Sequence, residues 1–295
     1  MTNEEMTAKI KVGSGFIAAL DQSGGSTPKA LAGYGVGEDA WGSEDEMFAL
    51  IHEMRSRIIK SPCFANGKVL GAILFEKTME GQVDGVPTPQ ALKERGIVPF
   101  LKVDKGLEDE NDGVQLMKPI PNLDEQCERA VELGMFGTKM RSVINLADPS
   151  GIATNVEQQF VFGRQIIDHG LVPIIEPEVN IKSPEREAAD AILLSEIGSQ
   201  LDALDSSQRV MLKLSLPVAP NLYAPLIAHP RILRVVALSG GYSTDEACTE
   251  LAKNEGMIAS FSRGLLQDLR QTQSDEEFDS VLGAAIDQIH AASMA

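Results

Sequence analysis

The chain has 295 residues, 43% hydrophobic and 23% charged, a balance that can bury a full core and excludes a wholly disordered protein. Its 43 acidic residues against 26 basic ones give a formal charge of −17, and with no basic stripe this disfavours nucleic-acid and anionic-membrane binding. Three isolated cysteines, Cys63, Cys127 and Cys248, support neither a disulfide framework nor a cysteine metal site.

The opening Met-Thr-Asn-Glu-Glu-Met-Thr-Ala-Lys lacks the apolar core of a signal peptide, and no run reaches the ~18 apolar residues of a membrane span, so the chain reads as cytoplasmic. Residues 1–12 read as a helical extension. The first β-type run is Gly15–Asp21, followed by a Ser-Gly-Gly-Ser turn and a helix start at Thr27-Pro28. Further runs are Val69–Glu76, Val98–Val103, Phe136–Met140, Leu171–Glu176, Val210–Leu214, Leu233–Leu238 and Met257–Phe261, each followed by a longer helical pattern. Capping boxes open helices at Ser243-Thr-Asp-Glu246 and Ser274-Asp-Glu-Glu277. The second begins the closing helix, 274–295, whose stripe of Phe278, Val281, Leu282, Ala285, Ile286 and Ile289 buries one face.

Nearly continuous apolar character fits parallel strands buried on both faces, and eight such βα units predict a single-domain (β/α)8 TIM barrel spanning 1–295. The alternative, an open doubly wound sheet, would usually carry a Gly-x-Gly-x-x-Gly turn after an early strand.

Barrel chemistry is built at the carboxyl ends of the strands. Those positions carry Asp21, Glu76, Lys102, Lys139 with Arg141, Glu176 with Glu178, Lys213, Ser239-Gly240-Gly241 and Arg263. Lys139, Glu176 and Lys213 sit in successive apolar runs, each 37 positions from the next. A buried charge is costly unless paired or neutralised, so the trio suggests one shared pocket. A lysine amine is nucleophilic only when unprotonated, which requires its pKa to fall from ~10.4 toward ~7–8. Lys213, among Met211, Leu212 and Leu214, has the apolar setting for that, and Glu176 on the intervening strand could serve as its acid/base. The same trio would also serve as an ion-pair network bracing the barrel interior, and Asp21 could be a turn residue.

After the seventh strand, the amides of Ser239, Gly240 and Gly241 could meet a phosphate, with Arg263 after the eighth strand as a bidentate cation. Lys102 and Arg141, with Ser23 and Ser26 as weaker candidates, would form a second anion site or else a solvated rim. The four histidines, His52, His169, His229 and His290, lie away from strand carboxyl ends and in no metal-binding spacing, so neither metal nor other cofactor is expected.

The segments Ala-Ala-Leu-Asp21-Gln-Ser, Leu-Lys102-Val-Asp-Lys-Gly, Gly-Thr-Lys139-Met-Arg141, Pro-Ile-Ile-Glu176-Pro-Glu178, Met-Leu-Lys213, Leu-Ser239-Gly-Gly and Ser260-Phe-Ser-Arg263 resemble, in order and across nearly the whole chain, those of class I fructose-bisphosphate aldolases of the short bacterial form. The resemblance implies a metal-independent Schiff-base enzyme that reversibly cleaves fructose 1,6-bisphosphate into glycerone phosphate and glyceraldehyde 3-phosphate in glycolysis and gluconeogenesis. It further implies Lys213 as nucleophile, Glu176 for proton handling in imine formation, Lys139 as adjacent positive charge and Asp21 for proton removal from the C4 hydroxyl. The C1 phosphate would meet Ser239, Gly240, Gly241 and Arg263, and the C6 phosphate Lys102 and Arg141.

Two departures from the animal and plant members stand out. Met140 replaces an active-site tryptophan, and the last tyrosine is Tyr242 where those enzymes end in one. The group that protonates the enamine is therefore unassigned among water, Glu176 and a residue near His290. Another lysine-imine barrel, such as a transaldolase or deoxyribose-phosphate aldolase, and a non-catalytic sugar-phosphate binder are the competing readings. The expected partner is a small sugar phosphate, with no nucleic acid or membrane, and a homo-oligomer of unspecified size is left open.

Overall fold

Eight parallel strands form a nearly closed barrel in a computed structural model that describes residues 1–295. They are β1 Phe16–Leu20, β2 Val69–Leu74, β3 Val98–Lys102, β4 Gly137–Ile144, β5 Val172–Val179, β6 Val210–Ser215, β7 Ile232–Leu238 and β8 Ile258–Ala259. Each pairs with its sequence neighbour, and the ring meets where the Ala19 N–H donates to the Phe261 carbonyl at 3.4 Å. The long helices are α1 Asn3–Val12, α2 Thr27–Tyr34, α3 Glu44–Lys60, α4 Leu123–Glu132, α5 Pro149–Asp168, α6 Arg186–Asp202, α7 Thr244–Leu251 and α8 Asp275–Ala292. The single-domain TIM barrel expected from the eight apolar runs is the fold observed.

β1, β2 and β6 are buried at every position, because one face of each strand meets the barrel interior and the other meets helices. The main core fills the space between strands and helices. A separate inner cluster, including Ile17, Ile73, Phe100, Ile174, Met211, Val236 and Ile258, fills the lower barrel. Met6 and Ile10 of α1 join this inner cluster, so α1 stoppers the amino end of the barrel. Arg234 of β7 ties the helix down, its guanidinium donating to the carbonyls of Lys11 at 2.9 Å and Gly13 at 3.3 Å near the end of α1.

The predicted closing helix is present as α8, opened by the Ser274–Glu277 capping box. Phe278, Leu282, Ile286 and Ile289 form its buried face, and the Arg57 guanidinium of α3 lies 4.2 Å above the Phe278 ring. Leu282→Ala would cost about 2–5 kcal/mol by leaving a cavity there.

Two strands run further than their apolar pattern predicts. β4 continues past Met140 to Ile144, and β5 past Glu176 to Val179. Past those points the polar residues Arg141, Ser142, Pro177 and Glu178 interrupt the apolar run, yet the backbone stays extended because β4 and β5 pair as far as Ile144↔Val179. β4 gains a further antiparallel partner, Val114–Gln115, from the connection that follows β3. Lys139 and Glu176 therefore stand within the strands, below the rim, and the site is recessed in the barrel mouth.

Candidate active site

The register of β4, β5 and β6 aims three charged side chains inward above an apolar layer. Lys139 and Met211 are both paired with Ile174, while Glu176 and Lys213 lie one inward position higher on their strands. Glu176 is the centre of the group. Its Oε1 lies 3.1 Å from Lys213 Nζ and its Oε2 lies 3.0 Å from Lys139 Nζ. Lys139 also reaches across the barrel to the end of β1, where Asp21 Oδ2 is 2.6 Å from its Nζ.

Lys139, Glu176 and Lys213 are only 3%, 3% and 4% exposed, so none has enough water to screen its charge. Burial by itself would lower the Lys139 pKa, but the carboxylates of Asp21 and Glu176 outweigh it and hold the ammonium well above the usual lysine range. Burial would raise the Asp21 pKa, and here Lys139 and Lys213 prevail, so Asp21 is held below the usual carboxylate range. Without substrate, Lys139 thus rests as a cation and Asp21 as an anion at neutral pH.

Asp21, Lys102, Lys139, Arg141, Glu176, Lys213, Ser239, Gly240 and Arg263 line one cavity of about 660 Å3 at the barrel mouth. Gly241 adjoins it. Gly240 and Gly241 have φ of +60° and +122°, backbone conformations that a side chain resists. A Cβ on Gly240 would lie 2.6 Å from Ile181, and one on Gly241 would lie 3.7 Å from Arg263 Nη2, so the Gly-Gly turn packs closely against Ile181 with the Arg263 guanidinium beside it. Bare backbone and an exposed cation side by side fit an anion.

The second cationic cluster is more compensated than its sequence suggests. Lys102 Nζ lies 2.8 Å from Asp104 Oδ1 and donates to the Asp104 carbonyl at 2.8 Å, while Arg141 Nε lies 2.5 Å from Glu178 Oε2. Ser23 and Ser26 line the same cavity.

Glu76 is not brought in: it starts a short helix and pairs at 3.5 Å with Lys105, both side chains being half-exposed. His290, on α8, does not line the cavity either. No cluster of three or more His, Cys, Asp or Glu side chains is arranged to hold a metal ion.

The structure adds residues to which the motifs assigned no role. Lys29, in the first turns of α2, and Ser260, whose buried Oγ has no protein partner, line the cavity. Arg55 of α3 is wholly buried behind it, donating to Thr78 Oγ1 at 2.7 Å and to the Gln22 carbonyl at 2.6 Å. Burial lowers its guanidinium to about 10, with Asp21 pulling the other way. Gln22 in turn donates to Ser262 Oγ, so Arg55 ties the turn carrying Asp21 to the turn carrying Arg263. Its signal was a charge on an apolar helical stripe, between Ile51 and Ile58. The other sizeable cavity, about 500 Å3 among α2, α3 and α8, lies away from the strand ends, and its Arg57 is already paired with Asp275 at 3.0 Å.

A TIM barrel with two amines on one buried carboxylate, recessed in a mouth lined by further lysine and arginine side chains, has the makeup of a lysine-imine aldolase. Residues 4–191 match the family model for fructose-bisphosphate aldolase class-I. The chain is 55% identical to the fructose-bisphosphate aldolase class 1 of Porphyromonas gingivalis, over 99% of each chain. Among solved structures it superposes on Plasmodium falciparum fructose-bisphosphate aldolase with a TM-score of 0.77 at 20% identity, covering 99% of this chain and 94% of that one. A Schiff-base-forming fructose-1,6-bisphosphate aldolase superposes with a TM-score of 0.54 at 14% identity, covering 98% and 100%. The chain belongs to the class I fructose-bisphosphate aldolase family. It is an aldehyde-lyase that reversibly cleaves fructose 1,6-bisphosphate into glycerone phosphate and glyceraldehyde 3-phosphate through a lysine Schiff base, without a metal.

Proposed function

We propose that Lys213 is the lysine that carries the Schiff base and that Glu176, Lys139 and Asp21 move and hold the protons of the reaction. The observation that carries this reading is the shared carboxylate, with Lys213 Nζ at 3.1 Å and Lys139 Nζ at 3.0 Å on its two oxygens. Lys139, doubly countered by Asp21 and Glu176, stays protonated. Lys213 has Glu176 as its one ion-pair partner and is the amine that can be released for attack.

Glu176 takes a proton from the Lys213 ammonium, and the freed amine adds to C2 of the open-chain ketose, a proton passing from the nitrogen to the former carbonyl oxygen to give a carbinolamine. Glu176 then protonates the departing hydroxyl, which leaves as water as the C=N bond forms. Asp21 takes the proton of the C4 hydroxyl. The C3–C4 electron pair flows into the cationic imine, releasing the aldehyde and leaving an enamine on Lys213. Protonation at C3 and hydrolysis of the imine free the second product. The cationic imine accepts the electrons that a metal would otherwise stabilise.

In the same reading Ser239, Gly240, Gly241 and Arg263 receive the C1 phosphate, and Lys102 and Arg141 the C6 phosphate. The whole chain, 1–295, works as one catalytic unit in the cytoplasm, within glycolysis and gluconeogenesis and independently of nucleic acid. Assembly into a homo-oligomer is compatible with it, and light scattering would size that assembly.

Borohydride reduction in the presence of fructose 1,6-bisphosphate, followed by peptide mass mapping, tests the assignment. An adduct on Lys213 that Lys213→Met abolishes is expected. An adduct on Lys139 instead would overturn it.

A further inference from the structure

We infer that Gln159, on the outer helix α5, is a positioning residue that holds Glu176 in place through the main chain of β5. The inference rests on the proposed proton-handling role of Glu176. It starts from a gap in the barrel wall. β5 and β6 are paired at Ile174↔Met211 and Ile175↔Leu212, and the pairing stops immediately below Glu176. The next residue is Pro177, which has no N–H to give. Above the gap the two strands are joined again by a side chain, Ser215 Oγ donating to the Val179 carbonyl at 2.7 Å.

The Glu176 N–H donates out of the sheet, to Gln159 Oε1 at 2.9 Å. Gln159 is held in turn. Its Nε2 donates to Ser142 Oγ at 2.5 Å, Ser142 Oγ donates to Asn155 Oδ1 at 2.7 Å, and Asn155 Nδ2 donates to the Val143 carbonyl at 3.2 Å. Ser142, Asn155 and Gln159 are each 0% exposed. The Glu176 N–H can only donate and the Val143 carbonyl can only accept, so these two ends fix which way the amides between them face.

Three polar side chains between a strand pair and its covering helix are a costly way to fill space, since each must find a partner to offset its lost water. Apolar residues would need no partners of their own, but one at 159 would leave the buried Glu176 N–H without its acceptor. What the polar chain provides is a fixed connection from β4 through α5 to the Glu176 backbone, at the point where β6 does not hold it. The carboxylate must reach Lys139 with one oxygen and Lys213 with the other, so a small shift of its main chain would break one contact.

Three variants and one control test this by rapid-quench borohydride trapping with fructose 1,6-bisphosphate. Rate constant per competent site, trapping amplitude, and steady-state kcat and KM are measured on folded protein. Gln159→Met keeps the length and removes both hydrogen bonds. It should retain wild-type amplitude and a KM within about threefold, while imine formation and kcat slow ~10- to 100-fold, as misplacement of a reacting group does. Ser142→Ala leaves the Gln159–Glu176 bond and removes its anchor, and Gln159→Leu repeats the loss with a branched side chain; both should also slow the rate constant.

A purely structural role would reduce amplitude or thermal midpoint while the rate constant per trapped site stayed at the wild-type value, and that result would overturn the inference. Should both Gln159 variants fail to fold, Ser142→Ala decides alone: a slowed rate constant supports the inference and an unchanged one overturns it. Glu176→Gln is the control. Wild-type imine formation in that variant would remove the proton-handling reading itself. A slow Glu176→Gln beside a normal Gln159→Met would remove only the role of Gln159.

Discussion

Lys139 spans the barrel mouth to hold Asp21, its Nζ 2.6 Å from Oδ2, and so couples β4 to the turn after β1. The same ammonium touches Glu176, so two buried carboxylates share it, Glu176 having Lys213 as a second cation and Asp21 none. Removing one partner of a buried ion pair costs about 3–5 kcal/mol, because the other charge is left unpaired. Lys139→Met should lose stability on that scale in urea titrations. Lys139→Met/Asp21→Asn should recover part of it while remaining inactive. Losses that simply add would show that the two side chains do not act as a pair.

Asp21 also sets an acid limit to stability. Its folded pKa lies below its ordinary value, so its contribution is complete above about pH 4 and is lost as pH falls through the lower folded value. Lys139 is the mirror case, with a raised pKa whose contribution is complete below about pH 10 and lost as pH rises through the folded value. The stability gap between wild type and Asp21→Asn should therefore be flat from pH 5 to 8 and narrow below pH 4. A gap that widened in acid would contradict the ion pair.

The two anion clusters should be separable by substrate. Arg263 lies beside the bare Gly-Gly backbone, and losing a hydrogen bond to a charged group costs about 1.5–3 kcal/mol, so Arg263→Ala should raise KM for fructose 1,6-bisphosphate ~10- to 100-fold. Arg141→Ala should instead erode the preference for the bisphosphate over fructose 1-phosphate. If Arg141→Ala weakened both substrates equally, the C6 assignment would be wrong.

Chelation should leave turnover untouched. A cationic imine takes the place of a Lewis acid, so prolonged treatment with EDTA is expected to leave kcat and KM unchanged. Inactivation that added zinc reversed would sink this account.

Much of the architecture could be read from residue order, because parallel strands buried on both faces write themselves as apolar runs, and a lysine or glutamate inside such a run is conspicuous. Lys139, Glu176 and Lys213 were found in that way. The ends of β4 and β5 were not, because extended backbone past Met140 and Glu176 is held by pairing to neighbouring strands, which leaves no apolar trace at Arg141, Ser142, Pro177 or Glu178. Arg55 and Gln159 were missed for another reason. Both lie on outer helices and reach the site residues through main-chain hydrogen bonds, so nothing in the local pattern says what they touch. The same limit hid the Arg141–Glu178 and Lys102–Asp104 pairs, which turn two apparently free cations into compensated ones.

With Met6 and Ile10 of α1 stoppering the lower end, the barrel is a vessel with a single door. Water, ketose and both three-carbon fragments must share it. In the proposed mechanism the half tethered to the imine lysine cannot depart until that imine is hydrolysed, so the untethered aldehyde leaves first and the doorway then admits the water that frees the other. Traffic through the opening is thus ordered by covalent attachment at one end and a plug at the other.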